Sequence, residues 1–237
     1  MVKPDEGHSE QLTLPLPTWA VPEHALPPSL RPMLASAGDA PFDSDSYFFE
    51  PWWPGARAFA FVERDRFHIQ ADQLSDPLAV FPELGVMRGQ LDTDGVVLDG
   101  TLLVLDEEGR PDRELLRRRL AEPDFQRGSG AFVASDLLWS SGKSLIADSF
   151  ETRRRRLSAV LRDGDRCVVS RGLRGEGITL AAAVASMGLD AISARRLAAP
   201  WKSGDAGMDW LRLPVTETPA ASTRPLLVLL QRLPLDD

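Results

Sequence analysis

Short apolar runs separated by charged or glycine-containing turns recur through most of the chain, a pattern of strands rather than of long amphipathic helices. Tyr47, Phe48 and Phe49 lead into Glu50 as one such strand. Residues 58–62 and 67–70 flank the charged tetrad Glu63, Arg64, Asp65 and Arg66, which predicts a hairpin. Residues 96–98 and 102–105 flank Asp99-Gly100 and predict a second strand pair. Residues 131–138 read as a fully buried strand, and 166–170, 191–194 and 210–213 as shorter ones.

Helical periods are fewer. Leu115, Leu116 and Leu120 recur between arginines over residues 112–120, with Pro111 ahead of the first turn. Residues 150–161 predict a charged amphipathic helix ended by the turn Asp163-Gly164-Asp165. Residues 178–187 predict an alanine-rich helix closed by Gly188, a residue suited to the left-handed position after a helix. This order of elements implies an α+β domain of antiparallel sheets flanked by helices, spanning residues 30–215. Residues 1–29 carry Pro4, Pro15, Pro17, Pro22, Pro27 and Pro28 among polar neighbours, as in an extended tail. Residues 216–223 read as a loop, and the apolar run 226–230 supplies one strand at most. No internal repeat stands out.

Composition narrows the classes. With 43% hydrophobic and 26% charged residues in 237, the chain suits one large globular domain or two small ones. No apolar run approaches the roughly 20 residues of a membrane span, and the N-terminal segment lacks the apolar region of a signal peptide, so a cytoplasmic location without membrane contact is expected. Cys167, in the run Cys167-Val168-Val169, is expected to be a buried strand thiol. His8, His24 and His68 are too scattered for a zinc site, and no metal site is expected. A net charge of −8 argues against generic affinity for duplex DNA, which comes from Lys and Arg neutralising phosphates. Arg113, Arg117, Arg118 and Arg119 form one cluster and Arg153 to Arg156 another; both are read as solvated helix faces in preference to phosphate-binding patches.

The most informative stretch is Glu50-Pro51-Trp52-Trp53-Pro54-Gly55-Ala56-Arg57. It resembles the Glu-Pro-Lys-Trp-Asp-Gly-Tyr-Arg motif of ATP-dependent DNA ligases, whose lysine attacks the α-phosphate of ATP and carries AMP. Further strings follow in the family's order: Arg31-Pro32-Met33-Leu34-Ala35, Phe81-Pro82-Glu83-Leu84, Leu98-Asp99-Gly100-Thr101-Leu102, the strand from Phe132 to Leu138 with Arg154-Arg155 behind it, Gly188-Leu189-Asp190-Ala191-Ile192, and Trp210-Leu211-Arg212-Leu213-Pro214. The resemblance covers about residues 30–215. It implies the ligase nucleotidyltransferase fold, which is ATP-grasp-like, and a family activity that uses ATP and Mg²⁺.

The departures fall where the family's chemistry lies. Trp52 stands at the nucleophile's position, and an indole nitrogen donates a hydrogen bond but has no lone pair to attack phosphorus. Pro54 replaces the motif's aspartate, and Thr101 replaces a glutamate that serves the ribose and metal side of the site; a hydroxyl is a poor partner for a hard cation. Ser135 stands where an aromatic wall near adenine is usual. Arg195, Arg212 and Pro214 replace lysines, and Ala71 and Asp72 replace a Ser-Arg turn. The resemblance leaves Glu50, Arg57, Asp99, Thr101, Asp190, Arg195 and Arg212 as vestigial nucleotide-binding positions, with no catalytic residue. Glu50 and Arg57 are read as members of a satisfied polar network in preference to ATP contacts. Trp52 and Trp53 are read as core aromatics, with Trp52 filling the nucleotide cavity. Family members continue into an OB-fold domain, whereas about twenty residues follow Pro214, so none is expected here.

These observations favour a ligase-like pseudoenzyme that needs no cofactor and serves as an interaction or scaffold module for a protein partner, with DNA repair and DNA contact suggested by the family alone. A nucleotide-binding sensor that does not transfer is the alternative. An active enzyme using Lys143 or Lys202 as displaced nucleophile is the least favoured, since Ser141-Gly142-Lys143-Ser144 lacks the spacing of a phosphate loop.

Overall fold

A computed structural model describes residues 25–72, 74–122 and 124–215. The strands in chain order are β1 (Met33–Leu34), β2 (Ser36–Ala37), β3 (Asp43–Pro51), β4 (Ala56–Val62), β5 (Phe67–Ala71), β6 (Val96–Leu105) and β7 (Ser129–Ser140). They continue as β8 (Lys143–Ser144), β9 (Cys167–Val169), β10 (Leu173–Glu176), β11 (Ala191–Arg196), β12 (Gly204–Asp205) and β13 (Trp210–Pro214). The α-helices among the described residues are α1 (Pro77–Val80), α2 (Arg113–Ala121), α3 (Phe150–Val160) and α4 (Gly177–Ser186).

Two sheets carry the architecture. One runs β10-β3-β11-β13-β2 and the other β5-β4-β6-β7-β8, with β9 beside β7. Their pairings are antiparallel except where the short β2 joins β13 and β9 joins β7; β1 and β12 form a separate parallel pair. The period-2 rule of a strand divides β4 cleanly. Ala56, Ala58, Ala60 and Val62 face one core with Leu98, Phe132, Leu157 and the helical side, while Phe59 and Phe61 pack with Trp201 and Trp210. A third cluster brings Phe49, Trp53, Leu103, Val133, Ile192 and α4 together between the sheets.

The helices follow their caps. Asp112 accepts hydrogen bonds from the amides of Glu114 and Leu115 at the start of α2, and Ser149 accepts from Thr152 at the start of α3. Gly188, at φ 74°, follows α4 as expected. The hairpin around residues 63–66 forms, with Val62 opposite Phe67. Cys167 is fully buried, and burial pushes its thiol far above the usual range.

Two expectations need correcting. Asp99-Gly100 is no turn: residues 96–105 form one continuous strand. Pro82–Gln90 form a 3₁₀ segment. The arginine clusters are not wholly solvated faces, because Arg119, Arg153 and Arg154 are 1%, 2% and 3% exposed. Leu26, inside the segment read as a tail, packs against the Trp201 and Trp210 cluster. Residues 1–24, the loop 216–223 and the run 226–230 lie outside the described residues. No helix among those described is long and apolar enough to cross a membrane.

Candidate active site cleft

The edge between the two sheets opens into a cleft of about 150 Å³. From one sheet, β3 supplies Glu50 and Pro51, β11 supplies Ser193 and Arg195, and β13 supplies Trp210. From the other, β4 supplies Arg57, β6 supplies Gly100 and Thr101, and β7 supplies Ser135. Trp52 and Trp53 sit in the turn from β3 to β4, where the Trp52 amide donates to the Ala191 carbonyl at 3.0 Å. Gly55 has to be small there: a Cβ would lie 2.2 Å from the Leu102 carbonyl oxygen.

Trp52 lines this cleft without filling it. Its half-buried ring lies 5.9 Å from that of Trp210, and the Arg212 guanidinium sits 5.6 Å from its centroid. Trp53 is buried, with its indole donating to Ser170 Oγ at 3.0 Å. Trp52, Trp53 and Gly55 also line a second, shallower cleft of about 340 Å³ with Arg113, Asp190 and Arg212. Asp190 pairs there with Arg113 at 3.0 Å and Arg212 at 3.4 Å. The residues read as vestigial nucleotide-binding positions are thus split: Glu50, Arg57, Thr101 and Arg195 line the first cleft, Asp190 and Arg212 line the second, and Asp99 lines neither and pairs with Arg57.

Behind the deeper cleft lies a buried ionic network. Arg57 makes a two-pronged pair with Asp99, which also accepts from the Trp201 indole at 3.2 Å. Asp136 receives both prongs of Arg153, at 2.8 and 2.9 Å, and Arg195 at 3.3 Å. Glu50 lies 3.3 Å from Arg195 Nε and 3.7 Å from Arg154 Nη1, in ion-pair rather than hydrogen-bond geometry. Glu50 and Arg57 therefore belong to separate branches. Burial pushes the Glu50 carboxyl above its usual range against the opposing pull of Arg195 and Arg154, and burial likewise lowers Arg195. The guanidiniums of Arg57 and Arg195 also lie 4.5 and 4.2 Å from the centre of the Trp210 ring, whose indole donates to Ser193 Oγ at 2.7 Å.

Residue patterns alone missed Asp136, Arg153 and the central place of Trp210. A carboxylate inside a strand predicted to be buried is a usable signal, because it demands a cationic partner. Among the described residues, no three His, Cys, Asp or Glu side chains are arranged to hold a metal ion.

Residues 32–213 match the family model described as ATP dependent DNA ligase domain. The chain belongs to that family. Among curated ligase relatives, the multifunctional non-homologous end joining protein LigD of Mycolicibacterium smegmatis is 26% identical over 191 residues, covering 80% of this chain and 24% of the relative. LigD of Pseudomonas aeruginosa is 30% identical over 204 residues, covering 84% and 22%. The chain thus spans less than a quarter of these relatives. A solved structure of mycobacterial DNA ligase D complexed with ATP and MES superposes at a TM-score of 0.65 with 26% identity, over 78% of this chain and 60% of that one. The two-sheet α+β architecture is that of DNA ligase nucleotidyltransferase domains.

Proposed function

We propose that the chain is a ligase-family adenylation domain without adenylation chemistry, a pseudoenzyme that serves as a binding module for a protein partner. The observation that carries this reading is Trp52, whose indole occupies the nucleophile's place in the motif and packs between Trp210 and Arg212. No neighbour can convert it into an amine.

The surroundings support the same reading. A Mg²⁺-bound triphosphate needs uncommitted cations and a carboxylate for the metal. Arg57, Arg195 and Arg212 are each matched to a carboxylate, and Thr101 offers a hydroxyl. The residues present do not suit that ligand. The LigD relatives are non-homologous end joining proteins, which suggests DNA-end repair in the cytoplasm as the setting and DNA as a neighbour by analogy.

Incubation with α-labelled ATP and Mg²⁺ tests the reading: the expected result is no covalent AMP on the chain, and none on Trp52→Lys, because the paired cations and Thr101 remain. A labelled adduct on the natural chain overturns it. The sensor alternative rests on Glu50, Arg57, Asp190, Arg195 and Arg212, and saturable ATP binding without transfer in a calorimetric titration would favour it.

A further inference from the structure

A separate cavity of about 200 Å³ shares no lining residue with the tryptophan-lined clefts. Glu151, Arg154, Arg155 and Ser158 reach it from α3 at the spacing i, i+3, i+4, i+7, which places them in one stripe. β10 adds Arg174, and the buried Phe48 and Leu197 supply apolar surface.

Three guanidiniums and one carboxylate, Glu151, line the cavity; Arg154 is matched from behind by Glu50 at 3.7 Å, so the cationic surplus at the mouth lies with Arg155 and Arg174. Glu151 pairs with Arg174 at 2.7 Å, but these side chains are 43% and 60% exposed, and an exposed pair is easily exchanged for another partner. Arg155 is exposed and has no ion-pair partner among the described residues. Arg154 is held in place, donating to the Ser170 carbonyl and lying 4.7 Å from the centre of the Phe48 ring. Ser158 Oγ is buried without a hydrogen-bond partner among the described residues, a costly state for a hydroxyl.

We propose that this cavity binds a small phosphomonoester. Arg155, Arg174 and the Ser158 hydroxyl contact its oxygens, Arg154 forms a fixed positive wall, and Phe48 and Leu197 face the ligand's apolar part. Planar guanidiniums match tetrahedral oxyanions with two-pronged hydrogen bonds. Their donors, together with the hydroxyl, exceed what the two oxygens of a carboxylate can use. The chemistry therefore selects phosphate over a simple carboxylic acid.

The test is an NMR titration of the full chain with inorganic phosphate, phenyl phosphate and acetate at constant ionic strength. The proposal expects saturable amide shifts at Phe48, Arg155, Ser158 and Arg174 with Gly55 and Thr101 unmoved, and tighter binding of phenyl phosphate than of inorganic phosphate. Combined Arg155→Ala and Arg174→Ala should weaken binding at least about tenfold, with circular dichroism confirming the fold. Ser158→Ala, tested separately, should weaken it by a smaller factor. Shifts centred on Gly55 and Thr101, affinity indifferent to the double substitution, acetate binding as well as phosphate, or no saturation at roughly 10 mM inorganic phosphate would each overturn it.

Discussion

Removing the guanidinium of Arg153 would leave Asp136, in a place with no access to water, with Arg195 at 3.3 Å as its remaining cationic partner: Arg153 and Asp136 are 2% and 0% exposed and joined by two hydrogen bonds. Losing one member of a buried pair costs more than losing both, because the survivor keeps its charge without its solvent. Arg153→Leu is therefore expected to cost about 3–5 kcal/mol in a denaturant titration, and the double change with Asp136→Leu less. Equal costs for the single and double changes would refute this account. Sequence gave warning of Asp136 only through its position in an apolar strand. Nothing in the run Arg153 to Arg156 tells the two inward guanidiniums from the two outward ones, since all four are the same residue and only the rotation of α3 against β7 and β11 separates them.

At the level of elements, Asp99-Gly100 shows why a turn signal failed. An Asp-Gly pair between apolar runs ordinarily marks a hairpin. Here Asp99 is spent on Arg57 and Trp201, and Gly100 lets β7 come close: a Cβ on it would lie 2.3 Å from the Val133 carbonyl oxygen. The strand continues through a register irregularity at that point instead of reversing. Gly100→Ala should cost about 2–3 kcal/mol through displacement of β7 backbone, measured by equilibrium unfolding. A neutral result would mean that the two strands are not held at this separation. The helices were easier to read, because the leucine period of residues 112–120 and Gly188 after α4 are local signals that no distant partner overrides.

Across the whole molecule, family membership and the α+β sheet arrangement were legible from ordered motifs, while the division of the site was not. Pairings such as Asp190 with Arg113 join residues far apart in the chain, and they depend on how α2 meets the β3 to β4 turn. A similar long-range tie links α2 to the 3₁₀ segment: Arg119, 1% exposed, donates to Glu83 at 2.7 Å and also bonds the Val80 carbonyl. Burial pushes the Glu83 carboxyl up, but hydrogen bonds from Arg119 and the Gly130 amide outweigh it and leave it below the usual 4.5. A depressed carboxyl stabilises the fold above its unfolded pKa, and that contribution fades as pH falls below about 4.5 through the folded value. Acidification from pH 7 to 3.5 should therefore cost the natural chain more stability than Glu83→Gln, compared by urea midpoints; parallel losses would argue against the tie. At pH 7 the substitution itself should cost about 2 kcal/mol, under the value for a fully buried pair because Glu83 is partly exposed.

Trp52 is a shared lining as well as a substitution. The same indole, with Trp53 and Gly55, lines both the deep cleft and the shallow one, so a turn of its side chain would reshape both at once. A molecule reaching from Arg57 to Arg212 would meet that ring, which lies 5.9 Å from the ring of Trp210 and 5.6 Å from the Arg212 guanidinium. Its occupancy would then depend on how readily one side chain turns as well as on the groups at either end.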